Sequence, residues 1–265
     1  MREVFGLEGE PALVIGGGYG SGRLTSLLLA RAGASVAVAD IDGDRARSVA
    51  AEVGGHPIVA DVTTHAGAAA AVDEAHEVLG GLTRLANIVG LVDQRAFLDS
   101  DPGQWDAQVR LNLYTQMNVC HAAGRHMVAA GRGVIAMVAS VSGMYGARNQ
   151  AAYGVAKAGV MSLARTLADE WGPHGVRINC VAPDITAVPR LMAQLPGSEE
   201  EILAQFDAMA AADGVPLRRF GRTHEIAGPL LFLLSDLSSF MSGQTLVVDG
   251  GTMVHFPHCT AADRG

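Results

Sequence analysis

The stretch Ala12-Leu13-Val14-Ile15-Gly16-Gly17-Gly18-Tyr19-Gly20-Ser21-Gly22 joins a short apolar run to five glycines within seven residues. The run has the length of a buried strand, and residues 24–32 beyond it read as a helix. Glycines at such a junction permit positive φ in a tight turn and let another group come close to the backbone. A helix beginning near Ser21 aims its unbonded N–H groups and the positive end of its dipole at the loop, which suits a phosphate. Strand, glycine loop and helix in this order predict the opening of a dinucleotide-binding βαβ unit.

The same alternation continues outward. Apolar runs recur at 35–39, 57–60, 85–89, 133–139, 176–181 and 245–248. Helical stretches separate most of them, notably 44–53, 101–130 and 151–172. The runs are nearly all apolar rather than alternating, as expected of strands covered on both faces. The expected fold class is therefore α/β. It is a single Rossmann-type doubly wound parallel sheet of about seven strands, flanked by helices on both faces and taking in 1–265 as one domain. Residues 184–216 read as an excursion, with Pro189, Pro196-Gly197 and Gly214 around a helical patch at 199–212. Long excursions from compact domains often act as lids. The tail at 252–265 shows no readable period.

Composition narrows the function classes. Apolar residues make up 49% of the 265 and charged residues 17%, the reverse of a disordered chain. Low charge with abundant Ala and Gly leans towards an oligomer. A net charge of −8 without a basic stripe argues against nucleic acid or an anionic membrane as partner. Cys120, Cys180 and Cys259 form no CxxC pair, which fits a reducing compartment. The first ten residues lack the basic-then-apolar pattern of a signal peptide, and the apolar run at 229–234 is far too short to span a bilayer. The expected location is cytoplasmic. His255, His258 and Cys259 could be drawn as a metal site but have no apparent fourth ligand, so no metal is expected.

Asp40 stands at the end of the second strand, twenty residues beyond Gly20. A carboxylate there can accept hydrogen bonds from ribose hydroxyls and would repel a 2′-phosphate. The glycine loop holds no Lys or Arg, Ile41 follows Asp40, and Arg23 and Arg45 are the nearest cations. This favours NAD over NADP; the competing reading is that Asp40 only caps the turn with Asp42.

Tyr153 and Lys157 are four apart in a helical stretch, hence a turn apart on one face. Bringing a phenol from a pKa of about 10 to about 7 takes roughly 4 kcal/mol. One cation at about 4 Å supplies roughly that amount at an effective dielectric of about 20. The pair is common by chance, but Ser140 closes the run 133–139 thirteen residues earlier. The glycine loop, Asp40 and Ser140 then share the carboxyl edge of the sheet, where such folds bind ligands.

These residues together resemble the classical short-chain dehydrogenase/reductase family over nearly the whole chain. The shared features are Gly16, Gly20 and Gly22, then Asp61-Val62, Asn87-Ile88-Val89-Gly90, Asn112, Ser140, Tyr153, Lys157 and Pro183. Phe220-Gly221-Arg222 and the run from Gln244 to Gly251 complete the match. The resemblance implies a hydride transfer between a nicotinamide and a secondary alcohol or ketone. It makes Tyr153 the acid/base, Ser140 the hydrogen-bond donor to the reacting oxygen, and Lys157 the group that lowers the phenol pKa and holds the ribose. It gives Asn112 a water in a proton relay. Contacts to NAD are implied for Gly16, Gly18, Tyr19, Gly20, Ser21, Gly22, Asp40, Ile41, Asp61, Val62, Asn87, Ile88, Val89, Tyr153, Lys157, Pro183 and Ile185. It also implies a homotetramer built on the helices at 101–130 and 151–172.

The chain departs from the family at three places. Ile15 stands where Thr is usual and Ile88 where a second Asn is usual, which suggests an apolar contact replacing a polar one between neighbouring strands. Pro183-Asp184 replaces the usual Pro-Gly. Leu191, Met192, Leu195, Phe206 and Met209 in the excursion, more often core than contact at such spacing, suggest an apolar or alicyclic substrate. Ser142, Tyr145 and Gln150 are candidates for the pocket wall. A cis-dihydrodiol dehydrogenase would use the same residues on a cyclic diol. A non-catalytic dinucleotide sensor would typically lack the Tyr or the Lys.

Overall fold

The computed structural model describes residues 2–254. The sheet strands are β1 (Pro11–Ile15), β2 (Ser35–Asp40), β3 (His56–Val59), β4 (Arg84–Asn87), β5 (Gly133–Val138), β6 (Val176–Pro183) and β9 (Thr245–Val248). They form one seven-stranded sheet in the order β3-β2-β1-β4-β5-β6-β9, every pair parallel. Strand order reverses between β1 and β4. Chain leaving the carboxyl ends of these two neighbours goes opposite ways, and a crevice opens between them.

Two apolar layers hold the sheet. On one face it packs against α3 (His65–Leu79), α5 (Thr115–Ala130) and α6 (Ala151–Trp171). On the other it packs against α1 (Gly20–Arg31), α2 (Gly43–Val53) and α9 (His224–Leu234). Most of these helices are punctuated locally. Asp42 caps α2 by accepting from the Asp44 and Arg45 N–H groups, and Thr64 caps α3 through Gly67 N–H. Gly54, Gly80 and Gly131 end α2, α3 and α5 in the left-handed conformation that a side chain would strain.

The expected helix at 101–130 is interrupted. It runs as α4 (Pro102–Val109), a π turn at Arg110–Tyr114, and then α5. Wider turns of this kind insert a residue into the helical ladder and are frequent at functional sites. Here the turn carries Asn112, fully buried. The run read at 85–89 also shifts: β4 begins one residue earlier, at Arg84, and stops at Asn87. Asn87 Oδ1 accepts the Val89 N–H at 3.3 Å, which bends the chain out of the sheet. Arg84 is tolerated in the strand because Glu10 and Asp236 meet its guanidinium at 3.2 and 3.5 Å.

The suggested Ile15–Ile88 contact is not formed. Ile15 packs in the layer shared with α3, α5 and α6, whereas Ile88 packs against the opposite layer. Successive residues of a strand point to opposite faces, and β-register places Ile15 beside Asn87. The two isoleucines meet only through Ile88 N–H donating to the Ile15 carbonyl at 3.1 Å.

Residues beyond β6 form β7 (Thr186–Ala187), α7 (Pro189–Met192) and α8 (Glu199–Ala212), and β7 pairs with β8 (Gly221–Arg222). This excursion has its own small core of Ala187, Ile202, Phe206, Ala210 and Phe220, with Leu191, Met192 and Leu195 packed against it. Phe206 is thus an internal support, tilted against Phe220 at 5.9 Å, whereas Met209 is exposed.

Candidate active site

The glycine loop is a cradle with little room to spare. Gly16 takes φ +75°, and a side chain at Gly22 would collide with the Gly16 carbonyl oxygen. The helix that follows is left open: no side chain caps α1 and no acidic residue lies in its first turn. Unbonded N–H groups and the dipole therefore face the loop, as a pyrophosphate requires. Asp40 supports this arrangement from the next strand. Its Oδ2 accepts the Gly18 N–H at 3.0 Å and its Oδ1 accepts the Asp42 N–H at 3.0 Å. It does cap the turn with Asp42, and it braces the glycine loop as well.

Beside Asp40 lies a cavity of about 110 Å³, lined by Gly16, Ile41, Asp61, Val62, Val89 and Leu111 among others. Its lining is mostly apolar and includes the carboxylate-bearing Asp40 and Asp61. Asp61 accepts from the Thr63 N–H and hydroxyl at 2.9 and 2.7 Å, which holds this wall in place. Leu111, in the π turn, was not a sequence candidate; only the fold brings it to the cavity.

The second half of the site lies at the carboxyl end of β5. Ser140 follows the strand and accepts the Ser142 N–H at 3.2 Å, and Ser142 donates to Gln150 Oε1 at 2.8 Å. This turn presses on α6. A side chain at Gly143 would come within 2.5 Å of Ala158 N, and one at Gly154 within 2.8 Å of the Ser142 carbonyl. Such closeness brings Ser140 against Tyr153. Burial pushes the Tyr153 phenol above its ordinary value, and a hydrogen bond with Ser140 works in the other direction.

Lys157 is entirely enclosed, and burial pulls its pKa down to about 8. Its ammonium donates to the Val138 carbonyl at 2.8 Å and stands 5.6 Å from the centre of the Tyr153 ring. The spacing argument had Lys157 lowering the phenol. In this state burial prevails and the phenol is raised. Asn112 lies nearby. Its amide bonds Leu91 twice, accepting from N–H and donating to C=O at 2.9 Å each, and it also donates to the Gln108 carbonyl. Gly90 separates the two groups: an added Cβ there would fall 2.7 Å from Lys157 Nζ and 2.8 Å from Asn112 Oδ1.

Asp184 both reshapes its loop and adds charge. Its Oδ1 accepts the Ile185 N–H at 2.8 Å. Partial burial, together with the charges of Asp184 and Asp249, raises the Tyr145 phenol. Asp184, Ile185, Arg219, Phe220 and Asp249 border a cavity of about 440 Å³ between the ends of β6 and β9. Arg219 is bound to Glu225 through both guanidinium ends, at 2.7 and 2.6 Å, so the wall offers little free positive charge.

Comparison with known proteins agrees with this geometry. A family model described as enoyl-(acyl carrier protein) reductase matches residues 18–253. The 3-oxoacyl-[acyl-carrier-protein] reductase of Thermotoga maritima is 32% identical, covering 94% of this chain and 99% of that one. The chain is a short-chain dehydrogenase/reductase. The 2-(S)-hydroxypropyl-CoM dehydrogenase 3 of Xanthobacter autotrophicus is 33% identical over 92% of this short-chain dehydrogenase/reductase and 97% of its own length. A solved 7α-hydroxysteroid dehydrogenase complexed with NADH and 7-oxo glycochenodeoxycholic acid superposes with a TM-score of 0.81, at 30% identity, covering 92% of this chain and 94% of that one. A nicotinamide dinucleotide is accordingly the cofactor class, and the chain is an oxidoreductase.

Most of the candidate residues of this short-chain dehydrogenase/reductase come together. Gly16, Asp40, Ile41, Asp61, Val62 and Val89 line the cavity beside Asp40, Gly18, Tyr19, Gly20, Ser21 and Gly22 form the glycine loop and the start of α1, Pro183 ends β6, and Ile185 lines the larger cavity. Asn87 is buried and braces the loop, donating to the Thr115 carbonyl at 3.2 Å. The Ile88 side chain is the exception, turned into the opposite core layer, so that only its backbone faces this edge. Arg95 lies 3.7 Å from Asp93, and its backbone N–H donates to the Asn149 carbonyl. Among the described residues no group of three His, Cys, Asp or Glu side chains could hold a metal ion. His255, His258 and Cys259 lie outside them.

Two outcomes follow from the packing around Lys157. Gly90→Ala crowds the ammonium and the Asn112 amide, so kcat should fall by about tenfold or more while the fold persists; stopped-flow and circular dichroism together read this. Because Lys157 is held at about 8 in the fold against an ordinary 10.5, the unfolded chain binds more protons between these values and stability from this group rises with pH. Lys157→Met should therefore melt above wild type at pH 7, with the difference shrinking towards pH 10.

Proposed function

We propose that this chain transfers hydride between NAD and a secondary alcohol or ketone, with Tyr153 as acid/base. The observation that carries the reading is the meeting of Ser140, Tyr153 and Lys157 at the end of β5, on the same sheet edge as an uncapped α1 and its glycine cradle. When bound, the nicotinamide supplies the hydride acceptor or donor. Ser140 donates a hydrogen bond to the substrate oxygen as charge grows on it, and Tyr153 takes or returns the hydroxyl proton. Lys157 favours the phenolate once its ammonium leaves the Val138 carbonyl for the ribose side of the site. Asn112, anchored to Leu91, positions the π turn at which a relay water is held.

Asp40 selects NAD, since its carboxylate suits ribose hydroxyls and opposes a phosphate. The named relatives act on compounds whose names carry an oxo or hydroxy group, which supports a CH–OH donor. The substrate is uncharged and apolar or alicyclic. Supporting this are the apolar excursion that serves as a lid and the carboxylate of Asp184 at the pocket wall, which disfavours anions. Following NADH absorbance across secondary alcohols, cyclic diols and ketones should find turnover, at least tenfold better with NAD than with NADP. Tyr153→Phe should abolish turnover while NAD still binds. Binding of NAD without turnover on the whole panel would overturn the enzymatic reading.

The assembly is a cytosolic homotetramer. Tyr114, Met117 and Val155 expose apolar surface on the π turn, α5 and α6, and Cys120 and Cys180 are free thiols. Sedimentation of the protein from a cytosolic fraction should return four chain masses; a monomer there would refute the assembly.

A further inference from the structure

Between β4 and the turn at Phe97 the chain passes through 88–96 without regular structure. Among the described residues, no backbone group of 89–94 bonds to another backbone group. Side chains from one helix take their place. Gln116 Nε2 donates to the Val89 carbonyl at 3.3 Å, Asn112 bonds the Leu91 N–H and C=O at 2.9 Å each, and Gln108 Oε1 accepts the Asp93 N–H at 3.2 Å. The ties fall on every second residue of the segment and every fourth of the helix, in opposite chain directions.

The two repeats keep step. Two extended residues span about 6.6 Å, and four helical residues about 6 Å. Four residues overshoot a helical turn by about 40°. The wider π turn at Arg110–Tyr114 offsets that drift, so the three amides stay on one face. Beyond them, Arg95 N–H donates to the carbonyl of Asn149, which stands at φ +62° beside Gln150, the partner of Ser142.

The fastened backbone lies against the reacting end. Gly90 sits between two ties, and a Cβ there would fall 2.7 Å from Lys157 Nζ. Gln116 is fully buried, yet its Oε1 meets no donor among the described residues. A buried acceptor left this way costs stability, which an apolar side chain of the same volume would avoid. The bond to Val89 is what this amide provides in return.

We propose that Gln108 and Gln116 are positioning residues: with Asn112 they clamp 89–93 along the helix as a wall that keeps water from the Lys157 ammonium. Their part in the reaction rests on the reading of Lys157 as the group that favours the phenolate. Loosening the wall admits water, and a hydrated ammonium moves back towards its ordinary pKa. Tyr153 and Cys180 are the titratable groups facing it. Burial raises the phenol and holds the thiol at about 12, so Lys157 alone titrates near 8. The segment, β5 and the π turn meet the ammonium with Gly90, Val138 and Asn112, none of which titrates.

Melting curves of the full chain from pH 6 to 10.5, with and without Lys157→Met, test the clamp and need no ligand. In the Gln116→Met and Gln108→Met backgrounds, the pH at which half of the Lys157→Met advantage is lost should rise by about one unit. Gln108→Glu keeps an acceptor for Asp93 N–H and should leave that pH where wild type has it. Hydrogen exchange across 88–96 should quicken by about tenfold in both methionine variants. If the glutamine substitutions lower melting equally with and without Lys157→Met, and the half-loss pH does not move, the clamp is refuted. Gln108 is only half-buried, so its variants decide the matter even where Gln116→Met does not fold. On any alcohol or ketone that the NADH assay turns over, kcat should fall by about fivefold with KM changed less than about twofold. No turnover by the wild-type chain would overturn the reaction reading alone, and the melting curves would still decide the clamp.

Discussion

The Lys157 ammonium is held out of water at the carboxyl end of β5, and much of the surrounding structure is arranged to make that possible. A buried ammonium with one carbonyl partner is unfavourable, and the depressed pKa records that penalty. The chain accommodates it with small residues. Gly143 and Gly154 let α6 lie against the turn after β5, and Gly90 leaves a gap that Lys157 Nζ and Asn112 Oδ1 share. The π turn places Asn112 at this gap and Leu111 at the cavity beside Asp40 in one step. A regular helix through 110–114 would shift the register of one relative to the other.

The other end of the crevice is built on the opposite principle. There the structure withholds a partner instead of supplying one. Helices α2, α3, α4 and α8 are capped by Asp42, Thr64, Asp101 and Ser198, whereas α1, like α6, α7 and α9, has no side-chain cap. Its N–H groups are stable only because a phosphate or water can reach them through the glycine loop. Asp40 links this end to the sheet by bonding Gly18 and Asp42 at once, so the last residue of β2 also shapes the cradle. Phosphate end and reacting end belong to one edge because the strand order reverses between β1 and β4.

Much of this was legible in the residues themselves. Apolar runs covered on both faces marked the seven strands, and the glycine loop followed by a helix marked the crevice. Other features were not legible. Arg84 looks unfit for a central strand until Glu10 and Asp236 arrive from distant parts of the chain. The run at 229–234, too short for a membrane span, is the second half of α9, a helix that packs on the sheet despite the proline within it. Ile15 and Ile88 could be placed on adjacent strands but not on opposite faces, because the face depends on where β4 begins.

By itself the sequence determined the fold class and the family and singled out the candidate side chains, since these rest on local periodicity and on residue types at set spacings. Only the tertiary structure decided how those side chains are held. The uncapped helix, the π turn and the ammonium tied to Val138 all depend on contacts between segments far apart in the chain. Burial, which governs the protonation of Tyr153 and Lys157, is a property of the packed molecule and has no value until the layers close around the sheet.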